Sequence, residues 1–125
     1  MKRLLLESWL LLFYIDLVMK FQGLEALHSI VRGSRTIPIA GVSSPSNELL
    51  CRSMDYACVF YFKRVLCLQR SAATAIIFRR YGRPAVMITG VQILPFRSHA
   101  WIEIQGDVVN DKPYMREIYQ VLDQC

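Results

Sequence analysis

Three residues in the second half of the chain have the types and the order needed for thiol acyl-transfer chemistry. Cys67 opens CLQRSAATAIIFRR, His99 opens HAWIEI and Asp111 closes DVVND. A cysteine supplies a nucleophile, a histidine the base that takes its proton, and a carboxylate the partner that orients the base. The run after Cys67 predicts a helix that starts at that residue. The free N–H groups and dipole at a helix start favour an anion, which lowers a thiol pKa. The same N–H groups can hold the oxyanion of a tetrahedral intermediate. Lys63, Arg64 and Arg70 add positive potential nearby.

HAWIEI predicts a strand, whose side chains alternate between faces. His99, Trp101 and Glu103 then share one face, and Ala100, Ile102 and Ile104 share the other, which belongs to the core. Trp101 is placed to wall the site, restrict the imidazole and meet substrate. Gln69, close to the nucleophile, and Tyr61, upstream of it, are alternative second donors to the oxyanion, and Gln69 is also placed to meet substrate. A turn expected at Gly106-Asp107 pairs Gln105 with Val108 and sets Asn110 opposite Glu103 and Asp111 opposite Ile102. Asp111 then reaches His99 only diagonally or from the strand end. Asp107 is the competing carboxylate, but as a turn residue it reads as structural.

These side chains need elements to carry them. The first 22 residues predict a helix that begins like a signal peptide, with Lys2-Arg3 and then leucines. Glu7 and Asp16 interrupt the apolar run and no small-residue cleavage site follows. Between them only Ser8 to Ile15 is uncharged, far short of the ~20 residues that span a membrane. Glu7 and Asp16 lie on nearly opposite sides, so the helix is apolar almost all round and reads as a core helix, with docking to a partner or a membrane surface as the other uses. Gly33 to Asn47, with two prolines and two glycines, reads as a connection. Ser46 or Asn47 caps a second helix from about Glu48 to Tyr61, on which Cys51 and Cys58 share a face as small buried thiols. The third helix, Cys67 to Arg80, is stopped by Tyr81-Gly82-Arg83-Pro84. Strands are expected at Ala85–Val91, His99–Gln105 and Asp107–Val109, and a short closing helix at Tyr114–Leu122. Helices followed by an antiparallel sheet give an α+β fold in one domain over residues 1–125: an N-terminal helix and connection (1–47), then the core (48–125).

Composition narrows the partners. With 54% hydrophobic residues and a mean hydropathy of +0.28, a 125-residue chain leaves apolar surface exposed, which suits a partner or, more weakly, a membrane surface. The net charge of +5 is scattered, with no interleaved aromatics, so nucleic acid is not the expected ligand and an anionic peptide or protein is. The four cysteines form no CxxC and the two histidines no zinc-site spacing. The expectation is therefore no metal, no cofactor, reduced thiols and a cytoplasmic setting.

CLQRSAATAIIFRRYGRPAVMITGV followed by PFRSHAWIEIQGDVVND resembles the transglutaminase-like core of lasso-peptide biosynthesis B2 proteins, the leader peptidases of lasso-peptide maturation. The likeness covers about residues 60 to 122, and the N-terminal LLLESWLLLFYIDLVM is similar too. The resemblance implies a papain-like, transglutaminase-like fold with Cys67 as nucleophile, His99 as base and Asp111 as orienting acid. It implies amide hydrolysis that removes the leader of a precursor peptide, a separate leader-recognition protein and an ATP-dependent lasso cyclase. The first 50 or so residues do not read as a winged-helix module, so recognition is expected in trans. Acyl transfer to an amine on the same triad, and a non-catalytic peptide-binding module, are the rival readings.

Overall fold

The computed structural model describes residues 2–36 and 45–125. The chain runs α1 (Lys2–Phe21), α2 (Leu24–Gly33), α3 (Asn47–Phe60), α4 (Cys67–Arg80), β1 (Ala85–Gln92), β2 (Arg97–Ile104), β3 (Asp107–Val108), α5 (Met115–Ile118) and β4 (Gln120–Gln124). The connection expected over Gly33–Asn47 falls mostly on residues 37–44, outside the described residues. The four strands form one antiparallel sheet in the order β3-β2-β1-β4. The expected α+β fold, helices packed on a small antiparallel sheet behind an N-terminal helix, is what the chain adopts.

The central element is α4. It touches α1, α2, α3, β1 and β2. Every residue from Ser71 to Arg79 is buried, including Ile77 and Phe78. Ala72, Ala73 and Ala75 make this possible, since their small side chains let neighbouring backbones approach from several sides. Burying a side chain the size of Ile77 or Phe78 contributes about 1.5–3 kcal/mol. Ala85, Met87 and Ile102 bring the sheet into the same core.

Helix α1 is only half of what its composition suggests. Leu4, Ser8, Leu11, Leu12, Ile15, Asp16 and Val18 are buried, while Leu6, Leu10, Phe13, Tyr14 and Leu17 stay exposed on the other side. Apolar side chains at the β1–β2 hairpin, Ile93, Leu94 and Phe96, are exposed too. Among the described residues no helix is long and apolar enough to cross a membrane.

Two elements differ from expectation. After Gly23, at φ 88, the chain starts a second helix, α2, that buries Leu27 and Val31. The expected closing helix over Tyr114–Leu122 is one short turn, α5, followed by strand β4. Ile118 and Leu122 are exposed at 42% and 65%, so their helical spacing marks no buried face. Pairing with the free edge of β1 decides the backbone there instead.

Arg79, buried at the end of α4, ties these pieces together. Its guanidinium donates to the carbonyls of Val31 and Ser34, to the Ser34 hydroxyl, to Ala85 O at 2.9 Å and to the Cys125 carbonyl. It thereby joins the end of α2, the start of β1 and the strand after α5. Arg79→Met should lower the unfolding free energy by about 2–4 kcal/mol in a denaturant titration, because buried carbonyls would lose their donor.

Candidate active site

The helix predicted to begin at Cys67 does so. Leu66 has extended backbone as its N-cap, and the Leu66 carbonyl accepts from Arg70 N at 3.0 Å. Leu66 has no side-chain acceptor, so Gln69 completes the cap in the other direction: its Oε1 accepts from Leu66 N at 3.3 Å. The Gln69 amide also donates to Asp16 Oδ1 at 3.4 Å. Tyr61 donates to Asp16 Oδ2 at 3.1 Å, and Lys63 pairs with Oδ1 at 2.8 Å. Asp16 is 7% exposed. Burial pushes its carboxyl up, but the bonds from Lys63, Tyr61 and Gln69 outweigh that and hold it below its ordinary value. A charged residue of α1 thus pins the segment that leads into Cys67.

His99 sits at the other wall. The chain turns between β2 and β3 at Gln105 (φ 52) and Gly106 (φ 87), not at Gly106-Asp107. Positive φ at both positions gives the mirror-image turn whose twist suits a hairpin. The pairing becomes Ile104 with Asp107 and Glu103 with Val108, and Val109 N donates to Ile102 O at 3.0 Å. Asn110 then replaces a main-chain acceptor: its Oδ1 takes the Ile102 N–H at 2.8 Å. The backbone leaves β2 there, and Asp111 arrives beside the imidazole. His99 Nε2 and Asp111 Oδ2 are 2.6 Å apart. The expected register, with Asp111 opposite Ile102 and Asn110 opposite Glu103, is therefore off, and the true one brings Asp111 closer to His99. Asp107 lies within the ladder, away from it.

With Nε2 held by Asp111, Nδ1 is the ring nitrogen left for Cys67. The Cys67 thiol is exposed and lines the same two cavities as His99, and its interaction with His99, more than any other influence, holds its pKa below the ordinary thiol value. Burial opposes the shift, and the backbone N–H groups of Ala100 and Leu68 assist it. The interaction with Cys67 raises His99 in turn, against burial and with help from Asp111, to about 9. The other three thiols go the opposite way: burial pushes Cys51 up to about 11 and raises Cys58 and Cys125.

Trp101 and Gln69, the residues expected to contact substrate, are both buried in the structure. Trp101 is 0% exposed and Gln69 9%. Trp101 instead backs the imidazole, its ring 6.1 Å from that of His99, and Tyr119 lies 5.3 Å away. Gln69 and Tyr61, the alternative oxyanion donors, both turn to Asp16. The face shared by His99, Trp101 and Glu103 is covered by a second small core of Ile88, Trp101 and Met115 with Tyr119 and Val121. Glu103, 3% exposed, accepts from Trp101 Nε1 at 2.8 Å and from two Arg116 nitrogens at 2.8 and 2.9 Å. Sequence reasoning passed over Asn110, Arg116, Tyr119 and the role of Asp16. The VVND ending was a signal for the first. A lone acid inside an apolar helix was one for the last, since a buried carboxylate needs partners.

The geometry sets a pH window. The thiolate is present above the lowered Cys67 pKa, and the imidazolium below about 9, so the ion pair exists between the two. Cys67 should react with iodoacetamide ahead of Cys51, Cys58 and Cys125 near neutral pH, with its rate inflection below the ~8.5 of a free thiol. His99→Ala should move that inflection up and slow labelling about tenfold at neutral pH. Mass spectrometry of labelled peptides across pH reads both.

A family model described as Transglutaminase-like superfamily matches residues 11–124. The microcin J25-processing protein McjB of Escherichia coli is 39% identical over 56 residues, which is 45% of this chain and 27% of that protein. No solved structure matches significantly. The family match spans α4, the sheet and the Cys67–His99–Asp111 arrangement, and with it this chain belongs to the transglutaminase-like superfamily.

Proposed function

We propose that this protein is a cysteine peptidase that removes the leader from a lasso-peptide precursor. The observation that carries the reading is the chain of contacts from a thiol at a helix N-terminus, through His99, to Asp111 at 2.6 Å. The similarity to a microcin J25-processing protein supports a peptide-processing role. The four free cysteines suit a reducing, cytoplasmic setting.

In the proposed reaction the Cys67 sulfur attacks the carbonyl carbon before the scissile bond. The N–H groups at the start of α4 face the developing oxyanion. Collapse of the tetrahedral intermediate breaks the C–N bond, and His99 gives its proton to the leaving amine, the new N-terminus of the core peptide. Water then attacks the thioester with His99 as base, releasing the leader carboxylate and restoring the thiol. Asp111 keeps the imidazole aimed at the sulfur and stabilises its charged form. A separate leader-recognition protein presents the precursor, and the ATP-dependent cyclase takes the freed core.

The test is leader cleavage of the precursor in the presence of its recognition protein, followed by mass spectrometry. Cys67→Ala should lower the rate by on the order of 10³ or more, and retained cleavage would end the proposal. Asp111→Asn should cost on the order of 10²–10⁴ with the fold intact, while Asp107→Asn should cost little. The opposite result for the two aspartates would remove Asp111 from the triad.

A further inference from the structure

Two cavities of different chemistry meet at Cys67 and His99. One, of about 260 Å³, is polar and lined by Arg64, Arg70, Ser71, Asn110 and Asp111. The other, of about 230 Å³, is apolar, and its walls include Leu24 of α2, Leu68 of α4, Val91, Ala100 and Leu122. Among the described residues no Asp, Glu, Lys or Arg lines the apolar one, whose other walls include His28, Cys67 and His99. Its volume lies below the ~300–1,000 Å³ that house a drug-sized ligand and suits a single side chain.

The backbone makes the mouth of this cavity by a specific irregularity. Thr89 pairs with Asp123 and Gly90 with Val121, so Leu122 is the extra residue of a bulge in β4. Bulges of this kind commonly re-aim a side chain beside a site. Leu122 is 65% exposed and Leu24 51%, yet both border the same cavity. Two large aliphatic side chains left in water line the same cavity as the thiol, and an aliphatic group seated in that cavity would cover apolar surface on both.

We infer that the apolar cavity is a specificity subsite, in which Leu24 and Leu122 select an aliphatic side chain of the peptide next to the bond that Cys67 attacks. The inference rests on the peptidase reading above and specifies which substrates that site takes. A charged side chain at that substrate position would lose its hydration against Leu24, Leu68, Val91 and Leu122, while the charges at the end of the cavity, Cys67 and His99, already pair with each other. The polar cavity on the other side of the thiol leaves the flanking peptide free to carry polar groups.

The test uses the whole chain and a pool of end-blocked decapeptides, randomised over the six central positions, with cut sites read by mass spectrometry. The wild-type protein should cut mainly where Leu, Ile, Val or Met occupies one fixed position beside the scissile bond. It should prefer these over Lys or Arg at that position by on the order of tenfold or more, since even one methylene changes the fit to an apolar pocket by about that much. Leu122→Asp and Leu24→Asp should each collapse or invert that ratio within the same variant, and their exposure makes both substitutions tolerable to the fold. Cutting without aliphatic enrichment at any fixed position, or enrichment unchanged in both variants, overturns the subsite while leaving the peptidase reading in place. If the wild-type chain cuts nothing and its Cys67 labels with iodoacetamide no faster than an ordinary thiol, the peptidase reading falls and the subsite with it.

Discussion

The pairing of Cys67 with His99 is the interaction that most of this architecture serves. It joins the first residue of a helix to a strand on the far side of a β-hairpin. Neither group would hold its charge alone, since burial raises the thiol and lowers the imidazole. Their interaction reverses both, and only if helix and strand are held at a set distance. The burial of α4 from Ser71 to Arg79 supplies that rigidity, because a helix packed against three other helices and a sheet has little freedom to shift.

Each end of α4 carries its own anchor. At the start, Asp16 gathers Tyr61, Lys63 and Gln69. At the end, the guanidinium of Arg79 gathers carbonyls from three parts of the chain. Both are charged groups withdrawn from water, and such groups persist inside a protein only when their hydrogen-bonding capacity is met. The result is a helix whose position along its axis is set by polar contacts, while its lateral position is set by packing.

The histidine wall follows the same logic. Asp111 holds one ring nitrogen and the aromatic rings of Trp101 and Tyr119 confine the plane. Trp101 is itself fixed by the buried carboxylate of Glu103, which Arg116 satisfies from two nitrogens. Gly90, paired with His99, leaves the room this stack requires. A Cβ there would lie 2.9 Å from Gln120 O and 3.1 Å from the Trp101 ring. The requirement at Gly90 is close approach, not an unusual backbone angle.

Local sequence carried a good part of this. The start of α4 at Cys67, its stop near Gly82, the alternation of HAWIEI and the order Cys, His, Asp were legible because each depends on neighbours a few residues apart. What the sequence did not reveal depends on partners far away in the chain. Tyr114–Leu122 has helical spacing, yet its second half is a strand because β1 offers an open edge. The hairpin register turned on whether Gln105 would accept a positive φ, a choice that the strands on either side decide. Trp101 looked available to substrate until Met115 and Tyr119 closed over its face. Asp16 looked like an interruption of a leucine-rich helix until residues 61 to 69 supplied its donors. By itself the sequence determined which residues could do chemistry and on which local elements they ride. The tertiary structure alone decided which of them meet and which are shut away from water, because pKa and exposure are properties of the surroundings, and the surroundings come from the rest of the chain.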